Sequence, residues 1–388
     1  MKKNLILVLI CYITSVSAQG KRFFESGEVV LKDPVEKINL KFANELPLVS
    51  VSINGKQYQF LFDTGAPTVI SNAVYSELNL KKKHKSKVGD SQKNKQEQIF
   101  TQLPEMIIDQ MVFKNIGAVV LDLEGPEFGC LKIDGIIGAN QMAKLFWRIN
   151  YSENLLEATN DLVKFPTGEY EMVFDFKPKP QKTPILESYI LDKKINLTFD
   201  TGFTGGIKIS DSNYDPQNRK VQSVETYGVN SVGAYGTGKP LSSYHFKTNE
   251  VSLSGQKFED EIIMTGNSSL VGNEFLKKFK FIIDWQNNKV YLHRLMNIPS
   301  KLESFGFAYR FIDLKAKVVL VFQGINNPVK IDDEILSINN ISFENLDQES
   351  ACNYLLNRVE KGESQIKVKV KREGKILDFT VDRKEYLK

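Results

Sequence analysis

Apolar and polar residues alternate along much of this chain, and the alternation predicts strands. Ile195, Leu197 and Phe199 interleave with Asn196, Thr198 and Asp200, a period of two that puts the acid on the polar side of a half-buried strand. Tyr58, Phe60 and Phe62 do the same ahead of Asp63, and Val29, Leu31, Ile38, Leu40 and Phe42 mark a further strand region near the start. Turns such as Asn54-Gly55 and Ser254-Gly255 separate the short β-branched runs in hairpin fashion. The pattern changes near Ile298-Pro299-Ser300. Beyond it, Val318–Phe322, Glu334–Ile338, Ile366–Val370 and Ile376–Val381 read as strands, and Asp347 caps a helix whose Ala351, Leu355 and Val359 share one face. Lys2-Lys3, an apolar run from Leu5 to Ile13 and small residues at Val16-Ser17-Ala18 have the form of a cleaved export signal.

Self-similarity organises the middle of the chain. Asp63-Thr64-Gly65 recurs as Asp200-Thr201-Gly202, and each copy is followed at similar spacing by an apolar-apolar-Gly motif. Ile136-Ile137-Gly138 ends 75 residues (138 − 63) after the first acid, and Leu270-Val271-Gly272 ends 72 (272 − 200) after the second. Leu145–Tyr151 and Phe279–Trp285 continue the match. Two similar lobes follow, each with an acid at a strand-to-turn transition, where the glycine allows a turn that a side chain would block.

Length, charge and cysteine content narrow the classes. A chain of 388 residues suits two or three domains, here an expected leader over 1–18, lobes over 19–162 and 163–296, and a separate module over 297–388. With 51 Lys plus Arg against 47 Asp plus Glu, nothing in the balance argues for a nucleic-acid partner. No later apolar run reaches the roughly 18 to 20 residues of a membrane helix, so no stable membrane insertion is expected. Cys130 and Cys352 stand far apart in sequence and read as two separate buried apolar groups, without a disulfide framework. The expected location is periplasmic or secreted.

Two facing carboxyl groups cannot both ionise cheaply, so one keeps its proton while the other carries charge, and the pair titrates as a unit. One can then take a proton from water while the other protonates a leaving nitrogen. On Asp63-Thr64-Gly65, Asp200-Thr201-Gly202 and the two apolar-apolar-Gly motifs, residues 30–295 resemble the pepsin-like and retropepsin-like aspartic proteases. The resemblance implies an all-β fold of two β-barrel lobes, each of the six-stranded type, with Asp63 and Asp200 as the catalytic pair. It also implies that Thr64 and Thr201 hydrogen-bond across the interface, that Gly65 and Gly202 support the loops, and that the active site forms in a monomer without metal or cofactor. Where pepsin-like members place Ser or Thr after the glycine, this chain has Ala66 and Phe203, which predicts a less acidic pair and places both residues among the substrate-binding candidates. Tyr227–Gly238, with Tyr227 and Tyr235, is the expected flap of the second lobe. The basic run Lys81–Lys87 at the corresponding place in the first lobe reads as a solvated loop.

The C-terminal module resembles a PDZ domain, a small β-rich fold with one main helix. Ser304-Phe305-Gly306-Phe307 matches its carboxylate-binding loop, which implies a peptide C-terminus as ligand, paired with Ala308 to Phe311 as an added strand. The partners implied are a peptide or protein substrate and a C-terminal peptide. A serine or cysteine hydrolase lacks a Gly-x-Ser-x-Gly motif here, and a metal enzyme lacks paired His or Cys spacing. A peptide-binding scaffold that retains the protease fold is the rival reading.

Overall fold

Short strands, turns and small helices make up the computed structural model, which describes residues 6–7, 11–13, 23–217, 221–249, 251–324 and 326–387. The greater part of the expected leader, including Val16–Ala18, lies outside the described residues. Its described pieces, Ile6–Leu7 and Cys11–Ile13, are extended and pair with Ser231–Val232 and Val88–Asp90 respectively.

The repeat in sequence is a repeat in hydrogen bonding. Lys56–Asp63 runs antiparallel to Leu46–Ile53 and parallel to Gly135–Gly138, so that Gly138 stands beside Asp63. In the second copy Lys193–Phe199 runs antiparallel to Pro184–Ile190 and parallel to Leu270–Val271. The strand after each acid, Val69–Ser71 or Ile207–Ser210, pairs antiparallel with the same apolar-apolar-Gly segment and parallel with a later strand of its own repeat. Alternation drives this placement. Phe60, Phe62, Leu197 and Phe199 are buried, and each large side chain taken from water is worth about 2 kcal/mol.

The repeats are joined by a shared sheet in which each contributes three strands. Its order is Glu36–Asn39, Leu155–Thr159, Phe146–Asn150, Phe279–Asp284, Lys289–Arg294 and Met172–Pro178, and Trp147 lies opposite Ile283 at the centre. Trp147 has no exposed surface, and its indole N–H donates to Met142 O at 2.8 Å, which satisfies the one polar atom of that ring.

Residues 303–385 form strands with one helix of their own, Gln348–Leu356, whose N-cap Asp347 accepts from Ser350 N. Among the described residues no helix lies between Phe322 and Glu334. This region is tied to the first two-thirds of the chain in two ways. Lys315–Phe322 pairs with Thr226–Gly228, and Cys130 is bonded to Cys352 with a Cα–Cα distance of 4.9 Å. The disulfide corrects the expectation of two separate buried thiol groups. The helix Pro126–Leu131 packs against Gln348–Leu356, and sequence distance carries no information on that contact.

Candidate functional site

Asp63 ends its strand and Asp200 directly follows its own, at the interface of the repeats, where neither has any exposed surface. Each carboxyl is oriented by its own loop: Gly65 N donates to Asp63 Oδ1 at 2.6 Å, and Gly202 N donates to Asp200 Oδ1 at 2.9 Å. Each glycine also lies under the opposite acid. A Cβ on Gly65 would stand 2.6 Å from Asp200 Oδ1, and one on Gly202 would stand 2.3 Å from Asp63 Oδ2. Only a residue without a side chain fits there.

Thr64 and Thr201 lock the two loops together. The Thr64 hydroxyl donates to Phe199 O at 2.7 Å and accepts from Thr201 N at 3.1 Å. Reciprocally, the Thr201 hydroxyl donates to Phe62 O at 2.7 Å and accepts from Thr64 N at 3.0 Å. Four buried bonds therefore hold the acids at one separation.

The remaining oxygens, Asp63 Oδ2 and Asp200 Oδ2, are buried without a hydrogen-bond partner, and the two carboxyls lie close enough to interact with each other. Two carboxylates can bond only through a shared proton. Burial pushes both acids up, Asp63 to about 7, against the opposing pull of the backbone amides at Gly65, Ala66 and Gly202; proximity to Asp63 pushes Asp200 up further. A pair raised in this way keeps a proton to higher pH than a free carboxyl does.

A second layer ties these loops to their surroundings. Asn273 accepts from Tyr151 Oη at 2.6 Å and donates to Thr201 O at 2.8 Å, and the Thr183 hydroxyl donates to Gly65 O at 3.2 Å. Lys179, in the turn that carries Thr183, is pushed down to about 8 by burial while the charge of Asp200 pulls it back up.

Hairpins from both repeats meet in an apolar cluster that includes Ala66, the residue after the first Asp-Thr-Gly. The first is Lys82–Asp90 with Lys95–Ile108, and the second is Ser223–Gly228 with Leu241–Thr248. The basic run is thus a strand of the first hairpin, which corrects the loop expected there; its lysines are solvated on one strand edge while Val88, Gly89 and Asp90 are buried. The tips meet at Asp90. Its Oδ1 accepts from Gln92 N at 3.0 Å and Asn94 N at 2.9 Å within its own turn, and its Oδ2 accepts from Tyr235 N at 3.0 Å across the gap. Gln92 Oε1 adds a bond from Asn267 Nδ2 at 3.1 Å.

Other expected site residues are distributed unevenly. Ala66 is buried, and its carbonyl accepts from Ala139 N. Tyr235 lies at the meeting of the tips, beside the apolar cluster around Val232 and Ala234. Tyr227 does not join them: it is 43% exposed on a strand paired on both sides, opposite Ser242 and Val321. Phe203 has no exposed surface, and its ring occupies the space beside Gly205 and Gly272, so it fills its own loop instead of lining a pocket. Phe305 and Phe307 border a cavity of about 570 Å³ together with Arg358, Glu45 and Lys277, and Gly306 is not part of its lining. Gly306 N is taken by Ser304 Oγ at 3.0 Å, and on the strand expected to receive a peptide Tyr309 O accepts from Arg358 Nη1 at 3.1 Å.

Asp90, Asn273, Lys179 and Lys208 were not singled out by sequence reasoning. The last carries a signal that superposing the repeats would expose, a lysine between two isoleucines in a strand otherwise built for burial.

Among known proteins, residues 49–140 match the family model described as aspartyl protease. A solved structure of a retropepsin-like aspartic protease from Rickettsia conorii is similar at 20% identity, covering 34% of this chain and 92% of that one with a TM-score of 0.23. No curated protein matches. The matched residues include Asp63-Thr64-Gly65 and Ile136-Ile137-Gly138, and they support an aspartic protease family for this chain.

Proposed function

We propose that the protein is an aspartic-type endopeptidase in which Asp63 and Asp200 together activate a water molecule against a peptide carbonyl. The observation that carries this reading is the pair of buried carboxyls within reach of one another, each with one oxygen held by a backbone amide and one oxygen free. The charged carboxylate takes a proton from water, and its protonated neighbour hydrogen-bonds the carbonyl oxygen; the proton gained then passes to the leaving nitrogen. The cross-bonded threonines keep the acids from separating, so little reorganisation accompanies the transfer.

Below the lower apparent pKa of the pair both acids are protonated and no base remains. Above the upper one both are ionised and no acid remains. Both acids are pushed up, Asp63 to about 7, so the window in which the pair holds one proton is displaced upward from the usual carboxylate range, and a maximum near pH 2 in a pH profile of casein digestion would contradict the assignment.

Residues 297–388 we read as a PDZ-like domain that docks peptide or substrate beside the peptidase. An export leader and a disulfide suit an oxidising compartment, periplasm or cell exterior, in which the mature chain works as a monomer without cofactor.

Denatured casein and a mixed peptide library, with and without a statine inhibitor, test the activity. Asp63→Asn and Asp200→Asn should each abolish cleavage, by at least about a thousandfold, with melting temperature retained. Cleavage by both variants at the wild-type rate would leave a peptide-binding scaffold as the reading.

A further inference from the structure

Strand register gives each residue of one repeat a counterpart in the other. Ile136 of Ile136-Ile137-Gly138 lies opposite Val69, and Leu270 of Leu270-Val271-Gly272 lies opposite Lys208. Lys208 therefore occupies the place that Val69 holds in the first repeat. Both are fully buried.

Their surroundings differ in kind. Val69 belongs to an apolar cluster with Ala66, Val88 of the first flap and Val232 and Ala234 of the second, so this side of the cleft is greasy. Lys208 instead sends its ammonium under the second flap, where Nζ donates to Ser231 Oγ at 3.2 Å. The Ser231 hydroxyl is spent on Asn230 Oδ1 at 2.9 Å, and Asn230 Nδ2 is spent on Ser243 Oγ at 2.6 Å. Room for the lysine is made by Gly266, at which a Cβ would stand 2.4 Å from Lys208 Cε. The flap strand Ser231–Gly233 accepts an extended segment along its edge, because Ile6–Leu7 runs parallel to Ser231–Val232. Ser231, which holds the lysine, is the first residue of that strand.

An ammonium has three donors, and taking it out of water without a counter-charge is costly. Resting on the peptidase reading above, we propose that Lys208 is a specificity residue, selecting an acidic substrate side chain on the second-repeat side of the cleft while the Val69 side takes an apolar one. A carboxylate there gives the ammonium, whose bonded partner is Ser231 and whose charged neighbour is Asp211, an ion pair in a dry site, whereas an amide or aliphatic side chain does not, the situation in which polar sites discriminate most strongly. Burial pushes Lys208 down to about 8, with the charge of Asp211 pulling it partway back, so the cation is present at neutral pH and lost as pH rises through that value.

The test scores one peptide library, differing by Glu, Gln, Leu or Lys at single positions, for cleavage by the wild-type chain and for binding to the Asp63→Asn chain. One position should prefer Glu over Gln by about tenfold or more. Lys208→Met should move that preference to Leu, Lys208→Glu should move it to Lys, and Lys208→Arg should retain it. In the Asp63→Asn chain the Glu-to-Gln binding ratio should fall towards one between pH 6.5 and pH 9, a readout that needs no Lys208 variant to fold. Equal binding of Glu and Gln peptides, or a profile unchanged in Lys208→Met, would overturn the proposal. Acid-selective binding without any wild-type cleavage would instead overturn the peptidase reading alone.

Discussion

In the first repeat the covering hairpin is continued by the short strand Cys11–Ile13 at Val88–Asp90, whereas in the second it is braced by the C-terminal region, because Lys315–Phe322 continues its sheet through Thr226–Gly228. Beneath them the two Asp-Thr-Gly loops are nearly superimposable in their bonding, down to reciprocal threonine contacts of equal length. The floor is symmetric because the chemistry of a facing pair demands equal partners. The walls and covers are free to diverge, and they do, through Val69 against Lys208 and Ala66 against Phe203. Symmetry in this molecule is confined to the groups that must meet.

Thr64→Val and Thr201→Val test that symmetry most severely. Each substitution deletes two buried bonds and leaves a backbone carbonyl and an amide unpaired, for a loss on the order of 4 kcal/mol. Chemical denaturation should give the two variants values within about 1 kcal/mol of each other, a spread set by ordinary context dependence of such bonds. A large inequality would mean that one loop is held by other contacts and that the floor is less symmetric than its geometry.

Next in size is the link that exists on one side only. The Cys130–Cys352 bond closes a sequence separation of 222 residues and holds the C-terminal region to the first repeat, while strand pairing holds it to the second. Cys130→Ser with Cys352→Ser should cost about 3 kcal/mol and broaden the unfolding transition. Hydrogen exchange should then quicken in Gln348–Leu356 before it quickens in Lys315–Phe322, whose backbone remains paired. Equal quickening in both would show that the disulfide, and not the sheet, carries the attachment.

How much of this was readable in advance follows from which contacts are local. The strands Lys56–Asp63 and Lys193–Phe199, and the C-terminal strands Lys315–Phe322, Glu334–Ile338, Gln365–Arg372 and Lys375–Asp382, are written in residue alternation, and the Asp347 cap marks its helix. The duplicated spacing foretold that the acids belong to equivalent places. Lys81–Lys87 misled because a charged run carries no apolar alternation; its strand is imposed by the partner Lys95–Ile108, which is a tertiary matter. Phe203 misled because glycines at 205 and 272, far apart in the chain, leave the space that its ring fills. The disulfide was invisible for the same reason.

The smallest effect concerns a bond by which the unequal covers meet. Asp90 holds its own turn through Oδ1 and the opposite hairpin through Oδ2, and burial pushes its carboxyl up despite the amides of Tyr235, Asn94 and Gln92. Asp90→Asn leaves one carbonyl oxygen where there were two acceptors. That oxygen serves the two amides of the local turn, and the new NH2 group faces the Tyr235 N–H, donor against donor. The cross-tip bond is lost while each hairpin persists, and at about 1 kcal/mol this amounts to roughly fivefold faster exchange at the Tyr235 amide. Because the second hairpin is braced by Lys315–Phe322 and the first is not, the accompanying rise in exchange should appear in Lys82–Asp90 and spare Ser223–Gly228. A rise in Ser223–Gly228 instead would show that the brace does not hold and that the two covers move alike.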